Sequence, residues 1–95
     1  MSGGRFDHRQ YIIMDIAEDI QHVIDTNDDV SINEWGDRRG RGYSPEVIAK
    51  LQEGVRALRI AHVYAQRADW FFSGDDGEKS FLERLEKELE RYGQA

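Results

Sequence analysis

The sequence predicts an all-α fold, a small three-helix domain with a long central helix. Two observations support this prediction. Apolar residues recur at three- and four-residue steps through most of the chain, which is typical of amphipathic helices. A Ser44-Pro45-Glu46 helix start and a turn at 73–77 then divide the pattern into separate helices. The 95 residues suit one domain, and its small size leads us to expect self-association, most simply a two-fold dimer or a higher homo-oligomer.

The first helix is predicted over residues 11–27, after an N-terminal arm at 1–9 that contains two adjacent glycines. Acidic residues fill the other side of the helix, and the polar run at 26–29 ends it. Its apolar side consists of Ile12, Ile16, Ile20, Val23 and Ile24.

Residues 28–43 form a basic, glycine-rich loop in this prediction. Val30–Ile32 has the composition of a brief strand, but no evident partner strand exists in the sequence. A loop of this length in a small domain is usually functional or disordered, and the sequence leaves both alternatives open.

The central helix is predicted over residues 44–72. Ser44 suits the N-cap, Pro45 the first helical position and Glu46 the positive end of the helix dipole. About 28 residues correspond to roughly 42 Å of helix, which is long for so small a domain and offers an axis for self-association. One side is apolar (Val47, Leu51, Val55, Leu58, His62), the adjacent side has small residues (Gly54, Ala57, Ala61, Ala65, Ala68), and a third side carries Arg56, Arg59, Val63, Arg67 and Trp70.

The third helix is predicted over residues 76–92, with Asp75 or Asp76 as its N-cap and Glu78 completing a capping box. Its apolar residues repeat with helical spacing. From the three helices together we predict a core of Ile12, Ile16, Ile20, Leu51, Leu58, Ala61, Ala65, Phe72, Phe81, Leu85 and Leu89.

The net charge of −6 is unevenly distributed along the chain. Residues 1–34 and 68–95 are acidic, whereas residues 35–67 hold 3 acidic and 7 basic residues. The basic middle therefore pairs with the acidic ends or faces an anionic partner. Duplex DNA is not expected as a partner, because the basic surface is not dominant. No apolar run is long enough for a membrane span, and the chain has no cysteine and no apolar leader, so a cytoplasmic location is expected.

Two groups of acidic residues are candidate metal sites. One comprises Asp69, Asp75, Asp76 and Glu78, and helix capping explains most of it without a metal. The other comprises Asp15, Glu18, Asp19 and His22 on the first helix; the second helix has no matching carboxylates, so a solvated helix face is favoured. The sequence therefore predicts no metal, no cofactor and no catalytic residues.

Arginines and aromatic residues provide the predicted ligand-binding residues. Guanidinium groups bind phosphate and aromatic rings stack on bases. The alternatives are a flexible surface loop for the first set and internal ion pairs for the second. The first set is Trp35, Arg38, Arg39, Arg41 and Tyr43 in the loop; the second is Arg56, Arg59, Arg67 and Trp70 on the central helix.

Several segments resemble small proteins encoded by phages and prophages. They are the Met-Ser-Gly-Gly-x-Phe-Asp start, the Tyr-Ser-Pro-Glu helix opening, and Tyr-Ala-Gln-Arg-x-Asp-Trp followed by Ser-Gly-Asp-Asp-Gly-Glu. The resemblance covers most of the chain and is weakest over residues 28–42. It implies a phage protein acting in the cytoplasm of an infected bacterium, and it assigns no site residue. Accessory phage proteins often neutralise a host component, which is an argument by association.

Three functions follow as hypotheses. The first is a non-enzymatic counter-defence protein that sequesters a small anionic ligand, such as a nucleotide-derived immune signal. The second is an acidic inhibitor that binds a host defence protein, in the manner of an anti-CRISPR protein or a nucleic-acid mimic. The third, ranked last, is a metal-dependent nucleotide hydrolase.

Overall fold

A computed structural model describes residues 6–93 of the chain and contains three helices. These are α1 (Gln10–Asp25), α2 (Pro45–Phe72) and α3 (Glu78–Glu90). The fold is therefore all-α with a long central helix, as the sequence predicts. Most of the predicted 1–9 arm lies outside the described residues. Within residues 6–93, no helix combines the length and the apolar character needed to cross a membrane.

Helix α1 runs antiparallel to α2 and packs along it. At the far end of α1, Gln52 Nε2 donates a hydrogen bond to Gln21 Oε1 at 3.1 Å. At the beginning of α1, Gln10 Nε2 donates to Gln66 Oε1 at 2.9 Å. Ala17, between these two contacts, is completely buried because its small side chain lets the helices approach closely.

Asp69 joins the segment before α1 to the C-terminal part of α2. Its carboxylate is fully buried and accepts hydrogen bonds from the Phe6 backbone N–H at 3.1 Å and from Gln10 Nε2 at 3.3 Å. A buried charge needs such donors to offset the loss of water. The hydrogen bonds therefore hold the beginning of α1 against one end of α2.

Helix α3 packs on a different flank of α2 from α1. Phe71 and Phe81 stack with ring centroids 4.8 Å apart. Further along, Arg67 pairs with Glu88. Among the described residues α1 and α3 do not contact each other, so both helices depend on α2 for their position.

The helix ends agree with the sequence at α2 and differ at α3. Ser44 caps α2, and its Oγ accepts a hydrogen bond from the Val47 N–H at 3.3 Å. The N-cap of α3 is Gly77, so the expected cap at Asp75 or Asp76 is wrong. Asp76 is instead buried in ion pairs with two arginines, and Ser80 Oγ accepts the Gly77 N–H at 3.2 Å.

The loop between α1 and α2 has a defined conformation. Asn27, at its beginning, receives the Tyr43 N–H on Oδ1 at 2.8 Å and donates from Nδ2 to the Tyr43 carbonyl at 3.1 Å. The expected strand is reduced to a single antiparallel bridge between Ile32 and Arg38. Gly40 is buried where the two sides of the loop close on each other.

The buried apolar core is smaller than the sequence predicts. Ile12, Ile16 and Phe72 are 57%, 46% and 59% exposed, and Ala61 is exposed as well, so their assignment to the core is wrong for the single chain. The physical reason is that the helices form essentially one layer, with Cα extents of 54 × 27 × 13 Å. Leu89 is buried as expected, and the remaining predicted core residues are half-buried: Ile20, Leu51, Leu58, Ala65, Phe81 and Leu85. The buried apolar residues are Ala17, Val55, Val63 and Leu89.

We predict that Gly40→Ala destabilises the fold by at least about 2 kcal/mol, the cost typical of overpacking. A Cβ atom at this position would lie 2.4 Å from the Thr26 carbonyl oxygen and 2.6 Å from that of Asn27. Urea unfolding measures the effect. The matched control is Gly77→Ala, where a Cβ meets open space and the loss should stay below about 1 kcal/mol. Equal stability of the two variants would contradict the prediction.

Candidate functional site

A groove of about 510 Å³ lies on one side of α2, between α1 and the end of α3. Helix α2 contributes two arginines almost one turn apart, α1 contributes a glutamine, and the residues after α3 contribute a third arginine and a tyrosine. The lining residues are Gln21, Gln52, Val55, Arg56, Arg59, Arg91, Tyr92 and Gly93.

The groove concentrates positive charge in an acidic protein. Arg59 is half-buried, and the side chains of Arg59 and Arg91 form no ion pair or hydrogen bond with any residue in 6–93. Arg56 donates a hydrogen bond to the Tyr92 backbone carbonyl. Within the described chain no carboxylate lines the groove. Two guanidinium groups therefore keep all their donors for a ligand.

The chemistry of these residues suits an anion. Guanidinium groups form bidentate, charge-assisted hydrogen bonds with phosphate or carboxylate oxygens. Gln21 and Gln52, already hydrogen bonded to each other, add amide groups at the edge. The half-buried Tyr92 ring offers a surface on which a base can stack.

The structure brings together only part of the predicted arginine set on α2. Arg56 and Arg59 lie in the groove, whereas Arg67 turns to α3. Arg67 pairs with Glu88, lies 3.5 Å from Asp76 Oδ2 and places its guanidinium 4.5 Å from the centre of the Trp70 ring. Arg67 therefore holds α3 on α2, as the internal alternative expects, and the Trp70 ring lies against its guanidinium group.

Sequence analysis missed Arg91, which follows α3. Helical periodicity places this residue on the polar side of the third helix and provides no sign of a contact with α2. The packing of α3 against α2 brings it beside Arg59. The position of Arg91 after the last turn of α3 is only a weak sign of a binding site. Basic residues are common at the C-terminal ends of helices because they interact favourably with the helix dipole.

The five loop residues form a separate cluster. Trp35 is 77% exposed at the tip of a turn in which Asn33 Oδ1 accepts the N–H groups of Trp35 and Asp37. With Arg39 it borders a cleft of about 430 Å³ that also includes His22. Arg38 Nε donates to the Asp29 carbonyl at 3.2 Å. Arg41 and Tyr43 are exposed, and none of the five lines the groove of Arg59.

Asp29 places a negative charge in the loop cleft. Hydrogen bonds from the Ser31 hydroxyl and N–H lower the pKa of Asp29 below its ordinary value of 3.8, and Arg39 and Arg38 contribute less. Because the pKa is lowered by folding, the resulting stabilisation is present above pH 3.8 and is lost as the pH falls further. At neutral pH this carboxylate offsets part of the charge of Arg39, which makes the cleft a weaker anion site than the groove.

The two acidic clusters do not converge in the structure. Asp69 is buried beside Gln10, and Asp76 pairs with Arg67 and Arg84. The acidic residues of α1 are exposed on its outer face. Across residues 6–93, no group of three or more histidine, aspartate or glutamate side chains is placed to hold a metal ion.

Comparisons of the chain with protein-family models, with curated protein sequences and with solved structures find no match. The resemblance to phage proteins therefore stays a prediction from the sequence.

We predict that Asp76→Ala destabilises the protein by about 3 kcal/mol. The change removes the partner of Arg84 and one of the two partners of Arg67, whose side chain is only 14% exposed. Thermal or chemical unfolding followed by circular dichroism measures the loss. The control is Glu83→Ala, which breaks an exposed pair with Lys79 and should change little. An unchanged stability of Asp76→Ala would show that these pairs do not hold α3.

Proposed function

We propose that this protein binds a small phosphate-bearing anion in the groove between α1, α2 and α3, and holds it without chemical conversion. The observation that carries the proposal is the pair Arg59 and Arg91, two guanidinium groups beside one groove with no carboxylate partner in the described chain. Arginines elsewhere on α2 and α3 are used in ion pairs, as Arg67 and Arg84 illustrate.

The net charge of the chain makes this local arrangement informative. In a protein of net charge −6, a surface that gathers arginines without carboxylates stands out. The described lining of the groove has three arginines and no carboxylate, which gives it a positive potential that attracts an anion. The groove volume of about 510 Å³ falls within the range typical of small-molecule sites.

The groove residues favour binding over catalysis. They provide positive charge, amide groups and one phenol, and among residues 6–93 the lining contains no carboxylate or imidazole to act as a general base near neutral pH. Together with the resemblance to phage proteins, this supports sequestration of a nucleotide-derived host immune signal in the bacterial cytoplasm. A protein that sequesters its ligand one to one needs high affinity and no catalytic turnover.

A second candidate is an acidic inhibitor of a host defence protein. The observation that favours it is the outer face of α1, where Asp15, Glu18 and Asp19 are exposed and form no ion pair with the described residues. Such a row of carboxylates resembles the charge of a nucleic-acid backbone. It ranks second because exposed acidic helix faces are common on proteins with no such role.

The proposal is tested by calorimetric titration and thermal unfolding with a panel of nucleoside phosphates, cyclic dinucleotides and ADP-ribose derivatives. A ligand at a hundredfold excess over Kd stabilises the fold by about 2.7 kcal/mol. We expect one nucleotide class to bind, and Arg59→Gln to weaken its binding by about 10- to 100-fold, since a hydrogen bond to a charged group contributes about 1.5–3 kcal/mol.

The matched control is Arg39→Gln, which removes an arginine from the loop cleft and leaves the groove unchanged. It should bind the ligand as the native protein does. If Arg39→Gln weakens binding and Arg59→Gln does not, the loop cluster is the site and the groove assignment is wrong. If no member of the panel binds, the acidic inhibitor becomes the leading hypothesis.

A further inference from the structure

We infer that the apolar face shared by α1 and α2 is the interface of a homodimer, and that its occupant is a second copy of this chain. The face comprises the exposed apolar residues of both helices and the half-buried residues between them. Its exposed members are Ile12 and Ile16 of α1 and Val47, Ala61 and Phe72 of α2.

These residues lie on one side of the layer. Successive residues of a helix are rotated by about 100° around its axis. Ile16 is therefore rotated by about −100° from the buried Ala17, and Ala61 by about −120° from the buried Val55. In antiparallel helices, similar rotational displacements point to the same side. The half-buried Leu58 of α2 lies in the middle of this side.

The opposite side of the layer carries the groove. Gln21, Gln52 and Arg59 are displaced in the other rotational sense from the same buried residues. The protein therefore has a polar, basic side and an apolar side. A dimer formed through the apolar side leaves both grooves open to solvent.

Apart from Asp69, which is completely buried, the residues on this side of α2 carry no charge from position 47 to position 72. They are Val47, Leu51, Gly54, Leu58, Ala61, Ala65 and Phe72. A Cβ added at Gly54 meets no atom within 4 Å, so nothing in the described chain covers the helix there. Glycine and alanine at these positions allow another helix to approach closely.

The surface area fits a partner of this kind. The chain exposes 6833 Å², whereas a compact monomer of 11.0 kDa exposes about 5600 Å². This excess of about 1200 Å² belongs to the whole surface, and burying the roughly 800 Å² per partner of a standard stable interface would bring the exposed area closer to that of a compact protein. A layer 13 Å thick becomes a two-layer domain when a second layer packs on its apolar side.

Charge favours a copy of the same chain as the occupant. Two molecules of net charge −6 repel each other when their acidic faces meet, such as the outer face of α1. An uncharged face avoids that repulsion and is complementary to itself about a two-fold axis. A partner selected by charge would find no complementary group on this part of α2.

The experiment is sedimentation equilibrium of the full chain over a hundredfold range of protein concentration. We expect a mass of twice 11.0 kDa, and a melting temperature that rises with protein concentration as required for a dimer. Ile16→Glu and Ala61→Arg should each give the mass of a single chain while keeping the helical circular dichroism spectrum, since both positions are exposed in the monomer.

The matched control is Leu82→Arg. Leu82 is an exposed apolar residue of α3, a helix that contributes no residue to the proposed face, so this variant should remain dimeric. A native chain that sediments as a monomer at every concentration overturns the inference, and so do face variants that stay dimeric. Ligand binding by Ala61→Arg should equal that of the native protein, so the failure of one proposal is distinguishable from the failure of the other.

Discussion

The structure depends on the fact that α2 provides the only packing surface for both other helices in the described chain. Helix α1 is held along one flank through Gln10, Gln21 and Ala17, and α3 along another through Phe81 and Glu88. The two flanks are too far apart around α2 for α1 and α3 to contact each other in the described chain. The space between the two helices forms the groove on one side of α2, and the apolar face on the other side stays uncovered by residues 6–93. The groove and the apolar face therefore have one geometric cause.

The arginines of α2 have two different roles in the structure: some form ion pairs with acidic residues, and others face the groove. Arg67, under α3, is close enough to Glu88 and Asp76 to neutralise their charge, and it contributes to holding the helix. Arg59, about two turns earlier on α2 and about 80° around the helix from Arg67, forms no ion pair with those carboxylates and faces the groove. Residues with the same chemistry thus differ in role because α3 covers only part of α2.

The loop between α1 and α2 shows how backbone hydrogen bonds order a segment of polar composition. Asn27 binds both backbone groups of Tyr43, and Gly40 fits among three carbonyl oxygens where no larger residue can enter. The closed loop presents Trp35 at a defined turn instead of leaving it on a mobile chain. An exposed, positioned tryptophan is a favourable anchor for a ligand or partner, and its distance from the groove leaves the two surfaces independent.

The sequence by itself determined the helical fold. Periodicity identified three helices, and Ser44-Pro45-Glu46 identified the beginning of α2, because capping depends on residues within one turn. Tertiary structure decided what each helix face does. Periodicity assigned Ile12, Ile16, Ala61 and Phe72 to the core although all four are exposed, and it had no means of placing Arg91 in the same groove as Arg59. The local sequence predicts Asp76 as a helix cap, but in the structure Asp76 forms ion pairs with Arg67 and Arg84. The pair with Arg67 of α2 forms only when α3 packs on α2. Local sequence sets the direction of a side chain, whereas the neighbour it meets depends on the arrangement of the helices.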